Sequence, residues 1–174
     1  RHPRPCPGIS IPPEMKVLVA TEKPFAAAAV NGIREIVEGA GHELALLEKY
    51  TEKEQLLAAV ADADALIVRS DKVTADVVAA AKQLKIVVRA GAGYDNLDLP
   101  SCTERGIVAM NTPGQNSNAV AELALGLMIY MSRNQFTPGT GCELSGKTIG
   151  IQGFGNIGQL VAKKAVGLGM NVLV

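Results

Sequence analysis

The sequence predicts an α/β protein: a flavodoxin-like five-stranded parallel sheet domain, followed by the first βαβ unit of a Rossmann domain. Three observations carry that prediction. From Met15 onward, short β-branched runs alternate with alanine-rich helical stretches. The runs VLVA, LIV and IVV are continuously apolar and do not alternate, which marks strands covered on both faces. Further on, GFGNIG (153–158) has G-x-G-x-x-G spacing between an apolar strand and a helix.

The first element, MKVLVA (15–20), is a buried strand, and PFAAAAVNGIREIVEGAG (24–41) is a helix that starts near Pro24 and is stopped by Gly39 and Gly41. HELALL (42–47) is the second strand, with a helix over about 52–61 behind it. ALIVRS (65–70), KIVVRAG (85–91) and IVAMNT (107–112) are three more strands, separated by helices near 74–82 and 99–105. A helix in every connection requires right-handed crossovers and a parallel sheet with both faces dry, and the common order for five such strands is 2-1-3-4-5. A long helix over about 118–133 is capped by the polar run GQNSN and apolar on nearly all sides, so it is expected to be buried between two bodies. The Gly-, Pro- and Thr-rich segment 134–146 reads as a connection, after which KTIGIQG opens a second α/β unit.

Bulk properties exclude several classes. With 174 residues, 48% of them hydrophobic, the chain can bury a core. Its 17 basic and 17 acidic side chains cancel, and no block of like charge is long enough to grip a phosphate backbone, so nucleic acid is not expected as a partner. Cys6, Cys102 and Cys142 lie far apart, with only His2 and His42 to join them. They read as reduced thiols in a cytoplasmic compartment, with no metal site expected. The longest apolar stretch, 119–131, contains Glu122 and is shorter than the roughly 20 residues a membrane span needs. Residues 1–14 are proline-rich without an apolar core, so they are not a secretory signal. They are expected to be a disordered leader, read as residues upstream of a start at Met15, with the remnant of an organelle-targeting leader as the alternative.

In an open parallel sheet, ligands bind beyond the carboxyl ends of the strands. There the third strand ends in Arg69-Ser70, the fourth in RAGAGYDN (89–96) and the fifth in NTPGQNSN (111–118). These loops offer a guanidinium, a glycine turn with free backbone N–H groups, and small amides and hydroxyls, a set suited to a small anion. Each has a plainer reading. Arg69 could pair with Asp71 or Asp76; Gly91 and Gly93 could only permit a tight turn, with Asp95 or Asn96 capping the next helix; Asn111 and Asn116 could be turn formers. Convergence on one edge favours the functional reading. His42 precedes the second strand and so belongs to the opposite edge.

The glycine turn has a physical reason at each position: a tight turn at Gly153, close approach of backbone to a pyrophosphate at Gly155, and close helix-to-strand packing at Gly158. The fingerprint's acidic ribose-binding residue, about 20 positions on, falls past Val174.

Taken together, ALIVRSDKVT, IVVRAGAGYDNLDL, GIVAMNTPGQNSNAVAELALGLMI and LSGKTIGIQGFGNIGQLVAKKAVGLGMNV resemble the D-isomer-specific 2-hydroxyacid dehydrogenases, and within that family the branch acting on 3-phosphoglycerate. The resemblance runs from Met15 to Val174. It implies an NAD-dependent oxidoreductase of two domains. Residues 15–116 would form the flavodoxin-like substrate domain, and residues 117–174 the linking helix and the start of the NAD-binding domain. By the same resemblance, Gly91, Ala92 and Gly93 would hold the substrate carboxylate, Arg69 and Ser70 its phosphate, and Asn111 would lie beside it. Gly153, Phe154, Gly155, Asn156, Ile157 and Gly158 would hold the NAD pyrophosphate. The substrate would be a small anionic 2-hydroxyacid or 2-oxoacid, and the full-length protein a homo-oligomer.

The family's catalytic arginine, carboxylate and acid/base histidine come from segments beyond the second Rossmann strand, so this chain is expected to be an amino-terminal part without turnover of its own. Three alternatives stay open: a glyoxylate, hydroxypyruvate or D-lactate member of the family, a non-enzymatic nucleotide-sensing scaffold on the same fold, and a receiver-like domain. The last needs clustered acids at strand ends, where the first strand offers only Glu22.

Overall fold

The computed structural model describes residues 13–174. His2, Cys6 and nearly all of the expected leader lie outside the described residues. By internal contacts the chain divides between Asn111 and Thr112 into two compact units. The division falls slightly ahead of the expected boundary, because the turn at 113–116 packs with the helix after it.

In the first unit, strands β1 (Lys16–Thr21), β2 (Glu43–Glu48), β3 (Ala65–Val68), β4 (Ile86–Arg89) and β5 (Val108–Asn111) alternate with helices α1 (Ala27–Gly39), α2 (Lys53–Val60), α3 (Ala75–Ala80) and α4 (Leu99–Glu104). All pairings are parallel and the order is β2-β1-β3-β4-β5, as the sequence predicts. One residue row, Leu18–Leu66–Val87–Ala109, runs across the sheet in register. It packs with Leu56 and Val60 of α2, Val77 and Val78 of α3 and Cys102 of α4 into the main core. Each such aliphatic side chain contributes about 1.5–3 kcal/mol by leaving water.

The expectation that both faces are dry needs correction. The next row, Val19–Ile67–Val88–Met110, faces the other way, and its burial falls from 0% exposure at Val19 to 50% at Met110. Crossover handedness explains it. The step from β1 to β2 runs opposite to the steps from β2 to β5, so α1 lies on one face while α2, α3 and α4 share the other. Helix α1 buries no residue fully, and Val108 and Met110 of the edge strand stay exposed.

The second unit holds α5 (Ser117–Ser132), a short 3-10 turn (Asn134–Phe136), and a βαβ unit of β6 (Thr148–Gly150), α6 (Asn156–Gly167) and β7 (Asn171–Leu173), with β6 parallel to β7. Ala121 and Leu125 of α5 pack against Val161 of α6. Helix α5 departs from expectation. Only Ser117, Ala121 and Leu125 are buried and no side chain caps its first turn, while Leu123, Leu127 and Met131 are exposed. Its apolar girth is wider than the one face that α6 covers.

Helices α1, α4 and α6 stop in the same way. The residue after each helix cap is a glycine at positive φ, at Gly41, Gly106 and Gly169. Paired bonds close the turn, such as Gly41 N–H to Glu38 and His42 N–H to Val37. This reversal satisfies the last carbonyls and feeds the chain straight into the next strand.

Candidate functional site

The carboxyl edge of the five-stranded sheet is built from loops that bond to one another. The loops after β3 and β4 join through a parallel bridge between Val73 and Leu97, with Val73 N–H donating to Asn96 at 2.9 Å and Asp98 N–H to Val73 at 2.9 Å. Asp98, rather than Asp95 or Asn96, caps α4 by accepting from Ser101 N–H. Asn96 instead donates its side-chain amide to the Asp71 carbonyl at 2.8 Å.

Arg69 and Ser70 are exposed at this edge. The pairing of Arg69 with Asp71 or Asp76 is absent: Asp76 bonds Lys53, and Asp71 accepts from the backbone N–H of Arg69 instead. Among the described residues no carboxylate lies within salt-bridge distance of Arg69, Lys72 or Arg89. Ser70 and Lys72 line two adjoining clefts of about 420 and 620 Å³.

The glycine turn after β4 differs in detail from its sequence reading. Gly91 N–H is not free, because it bends back to the Arg89 carbonyl at 2.8 Å. Ala92 and Gly93 N–H have no acceptor among the described residues. Gly91 leaves room for Arg89: a Cβ there would fall 1.7 Å from Nη1 of Arg89, and the guanidinium would have to move aside. The guanidinium of Arg89 crosses that space, and its Nε donates to the Arg69 carbonyl at 3.0 Å. Asn111 Nδ2 donates to the Ala92 carbonyl at 2.7 Å, so Asn111 braces the turn. The structure thus brings Arg69, Ser70, Ala92, Gly93 and Asn111 to one edge and adds Arg89, which the sequence reading placed at the head of the RAGAGYDN loop without giving it a role. The readable signal for Arg89 is a long cation at the last strand position with glycine two residues on.

His42 lies at the other edge, where its Nδ1 accepts from Met15 N–H at 3.4 Å. Cys102 is buried and Cys142 exposed, both as free thiols; burial pushes the Cys102 thiol up from its ordinary value. Among the described residues no cluster of metal ligands occurs, and no helix is long and apolar enough to cross a membrane.

In the second unit the three glycines of 153–158 behave differently from one another. Gly153 has φ +94°, a conformation that a side chain resists. Gly155 opens on empty space, with nothing within 4 Å of where a Cβ would stand. Gly158 is buried, and a Cβ there would meet the Gly153 carbonyl oxygen at 2.2 Å. Helix α6 therefore starts hard against the turn, with no side chain capping its first N–H groups. Those groups and the helix dipole suit an anion. Phe154, Asn156 and Ile157 are exposed around them, and Gln159 braces the turn by donating to the Phe154 carbonyl at 3.0 Å. Beside it, Pro113, Gly114, Gln115, Ser117, Asn156 and Gln159 line an open cleft of about 450 Å³.

Residues 18–168 match the family model described as D-isomer specific 2-hydroxyacid dehydrogenase, catalytic domain. The chain is 44% identical over 145 residues to a hydroxypyruvate reductase of Thermotoga maritima, covering 75% of this chain and 47% of that protein. It is 46% identical over 135 residues to a D-3-phosphoglycerate dehydrogenase of Methanocaldococcus jannaschii, covering 70% of this chain and 26% of that protein. Among solved structures it is similar to the NAD+-bound 3-phosphoglycerate dehydrogenase of Entamoeba histolytica, with a TM-score of 0.87 and 53% identity over 91% of this chain and 53% of that one. The chain spans less than half of the length of both curated relatives named. It belongs to the D-isomer specific 2-hydroxyacid dehydrogenase family.

Proposed function

We propose that this chain supplies the substrate domain and the first βαβ unit of the NAD-binding domain of a D-2-hydroxyacid dehydrogenase that acts on 3-phosphoglycerate. The observation that carries the reading is the pair of guanidiniums, Arg69 and Arg89, at one sheet edge without a protein carboxylate, next to the unbonded N–H groups of Ala92 and Gly93. A ligand with two anionic ends fits that set. The guanidiniums take the phosphate through charge-assisted bonds, Ser70 adds a hydroxyl, and the N–H groups of Ala92 and Gly93 take the carboxylate. Asn111 keeps that turn in place.

The turn at Gly153 to Gly158 fits a dinucleotide pyrophosphate, since Gly155 leaves room for close approach and the first N–H groups of α6 have no side-chain acceptor. Bound there, NAD would accept the hydride from the hydroxyl carbon. The hydroxyl proton must pass to a base, and His42 at the opposite edge cannot take it. The 174-residue chain on its own is expected to turn over no substrate, and the free thiols are in keeping with a cytoplasmic setting.

A second reading, a hydroxypyruvate reductase, is favoured by the likeness to the Thermotoga maritima protein. Calorimetric titration of the chain with 3-phosphoglycerate, D-glycerate and hydroxypyruvate separates the two. Preference for the phosphorylated acid by about tenfold or more supports the first reading, and equal affinities support the second. Robust NAD-dependent oxidation of 3-phosphoglycerate by this chain alone would contradict the expectation that it has no turnover of its own.

A further inference from the structure

We propose that Asp71 is the positioning residue of the substrate edge: its carboxylate pins the loops that carry Arg69, Ser70 and Arg89, and so sets how tightly the substrate's distal anionic group is held. The proposal rests on the reading of that edge as the substrate site. Asp71 is 5% exposed and, among the described residues, no cation pairs with it. A buried carboxylate without a counter-ion persists only when several donors solvate it.

Asp71 has three such donors, from three strand ends. Its Oδ1 accepts from Glu22 N–H, after β1, at 2.8 Å, and from the Tyr50 hydroxyl, after β2, at 2.7 Å. Its Oδ2 accepts from Arg69 N–H at the end of β3 at 3.4 Å. The fourth strand end is tied in by the backbone on either side, because the Asp71 carbonyl accepts from Asn96 and the Arg69 carbonyl from Nε of Arg89. Tyr50 is itself 7% exposed and part of the core. Burial, then the bond to Asp71, pushes its phenol well above the usual range, so it stays a donor.

This arrangement does not serve helix formation. Helix α3 has Thr74 at its cap position and takes no side-chain bond there. Its effect falls on the loops. With the backbone under Arg69 held and its carbonyl fixed, Arg89 has a defined acceptor and both guanidiniums stay at one edge. Ordering two flexible cations before the ligand arrives lowers the cost of binding.

The test uses the chain as Asp71→Ala, Asp71→Asn and Tyr50→Phe. Three readouts are needed: the Arg89 Nε–H resonance, calorimetric affinities for 3-phosphoglycerate and D-glycerate, and thermal unfolding. Asp71→Ala is expected to lose the hydrogen-bonded Arg89 Nε–H signal and to bind 3-phosphoglycerate about tenfold more weakly, with D-glycerate affected by no more than about twofold. Asp71→Asn keeps an acceptor for Glu22 and Tyr50 and recovers most of the affinity. Tyr50→Phe, the variant to use if Asp71→Ala does not fold, is expected to weaken 3-phosphoglycerate about threefold. A lower unfolding temperature with the Arg89 signal and the affinity both unchanged would make Asp71 a core polar group only and overturn the proposal. If the unsubstituted chain fails to bind 3-phosphoglycerate, the functional reading falls. The Arg89 signal in Asp71→Ala then still decides whether Asp71 holds the loops, persistence of the signal overturning it.

Discussion

The two edges of the five-stranded sheet use their charges in opposite ways. At the amino edge, Asp64 accepts from Lys16 N–H at 3.0 Å and from Lys85 Nζ at 2.9 Å, and Lys16 Nζ pairs with Asp62 at 2.8 Å. Lys16, Asp62, Asp64 and Lys85 answer one another there, and the result ties β1, β3 and β4 at their starts. At the carboxyl edge, Arg69, Lys72 and Arg89 have no protein carboxylate among the described residues, and Ala92 and Gly93 N–H have no acceptor. The buried carboxylate there, Asp71, is used on backbone and phenol donors. Unspent cations and donors on a rigid edge are what a binding site needs. Satisfied ones are what a fold needs.

Removing the cations of the carboxyl edge should break that contrast most. The double variant Arg69→Met, Arg89→Met is expected to weaken 3-phosphoglycerate binding about hundredfold or more, some 3 kcal/mol. Thermal unfolding, followed beside the titration, should move by no more than about 1 kcal/mol, because neither cation pairs with a carboxylate among the described residues and only the Arg89 Nε–H bond to the Arg69 carbonyl is lost. An unchanged affinity would take the substrate off this edge.

Gly158→Ala comes next. Its Cβ would stand 2.2 Å from a backbone oxygen, so the turn must shift, at about 1–3 kcal/mol of the second unit's stability, and NAD binding should go with it. Gly155→Ala meets nothing within 4 Å and should cost stability by no more than about 0.5 kcal/mol while still weakening NAD. Comparing denaturant unfolding with NAD titration for the two variants separates packing from ligand approach at neighbouring glycines.

The amino edge gives the smaller, inverse effect. Asp64→Asn should cost about 1 kcal/mol of stability, discounted because Lys85 is well exposed, and leave substrate affinity untouched. Its bonds to Lys85 and to the Lys16 backbone hold the Asp64 carboxyl below its ordinary value of 3.8. A group with a lowered folded value stabilises fully above its unfolded value and loses that contribution as pH falls through the folded one. Urea midpoints followed from about pH 6 to about pH 2 should therefore fall less steeply for Asp64→Asn than for the unsubstituted chain.

Much of the fold was legible because continuous apolar runs such as VLVA and IVV have one good use, a strand inside a parallel sheet, and a glycine such as Gly41 marks where a helix reverses. Dryness of both faces was not legible. It depends on which side each crossover passes, and that is why Val108 and Met110 stay exposed despite belonging to an apolar strand. Helix α5 failed for a related reason, since apolar composition does not say how many faces find a neighbour. At the carboxyl edge the sequence singled out Arg69, Gly91 and Asn111 by type and place. It could not show that Gly91 makes room for Arg89 or that Asp71 faces inward, because both depend on side-chain paths between loops.

The most direct measurement is a ¹⁵N-resolved titration of the chain with 3-phosphoglycerate. Shifts are expected at Ser70, Ala92, Gly93 and the Arg89 Nε–H, with Asp64 and His42 at the opposite edge still. Shifts centred on the amino edge, or none at saturating ligand, would contradict the account.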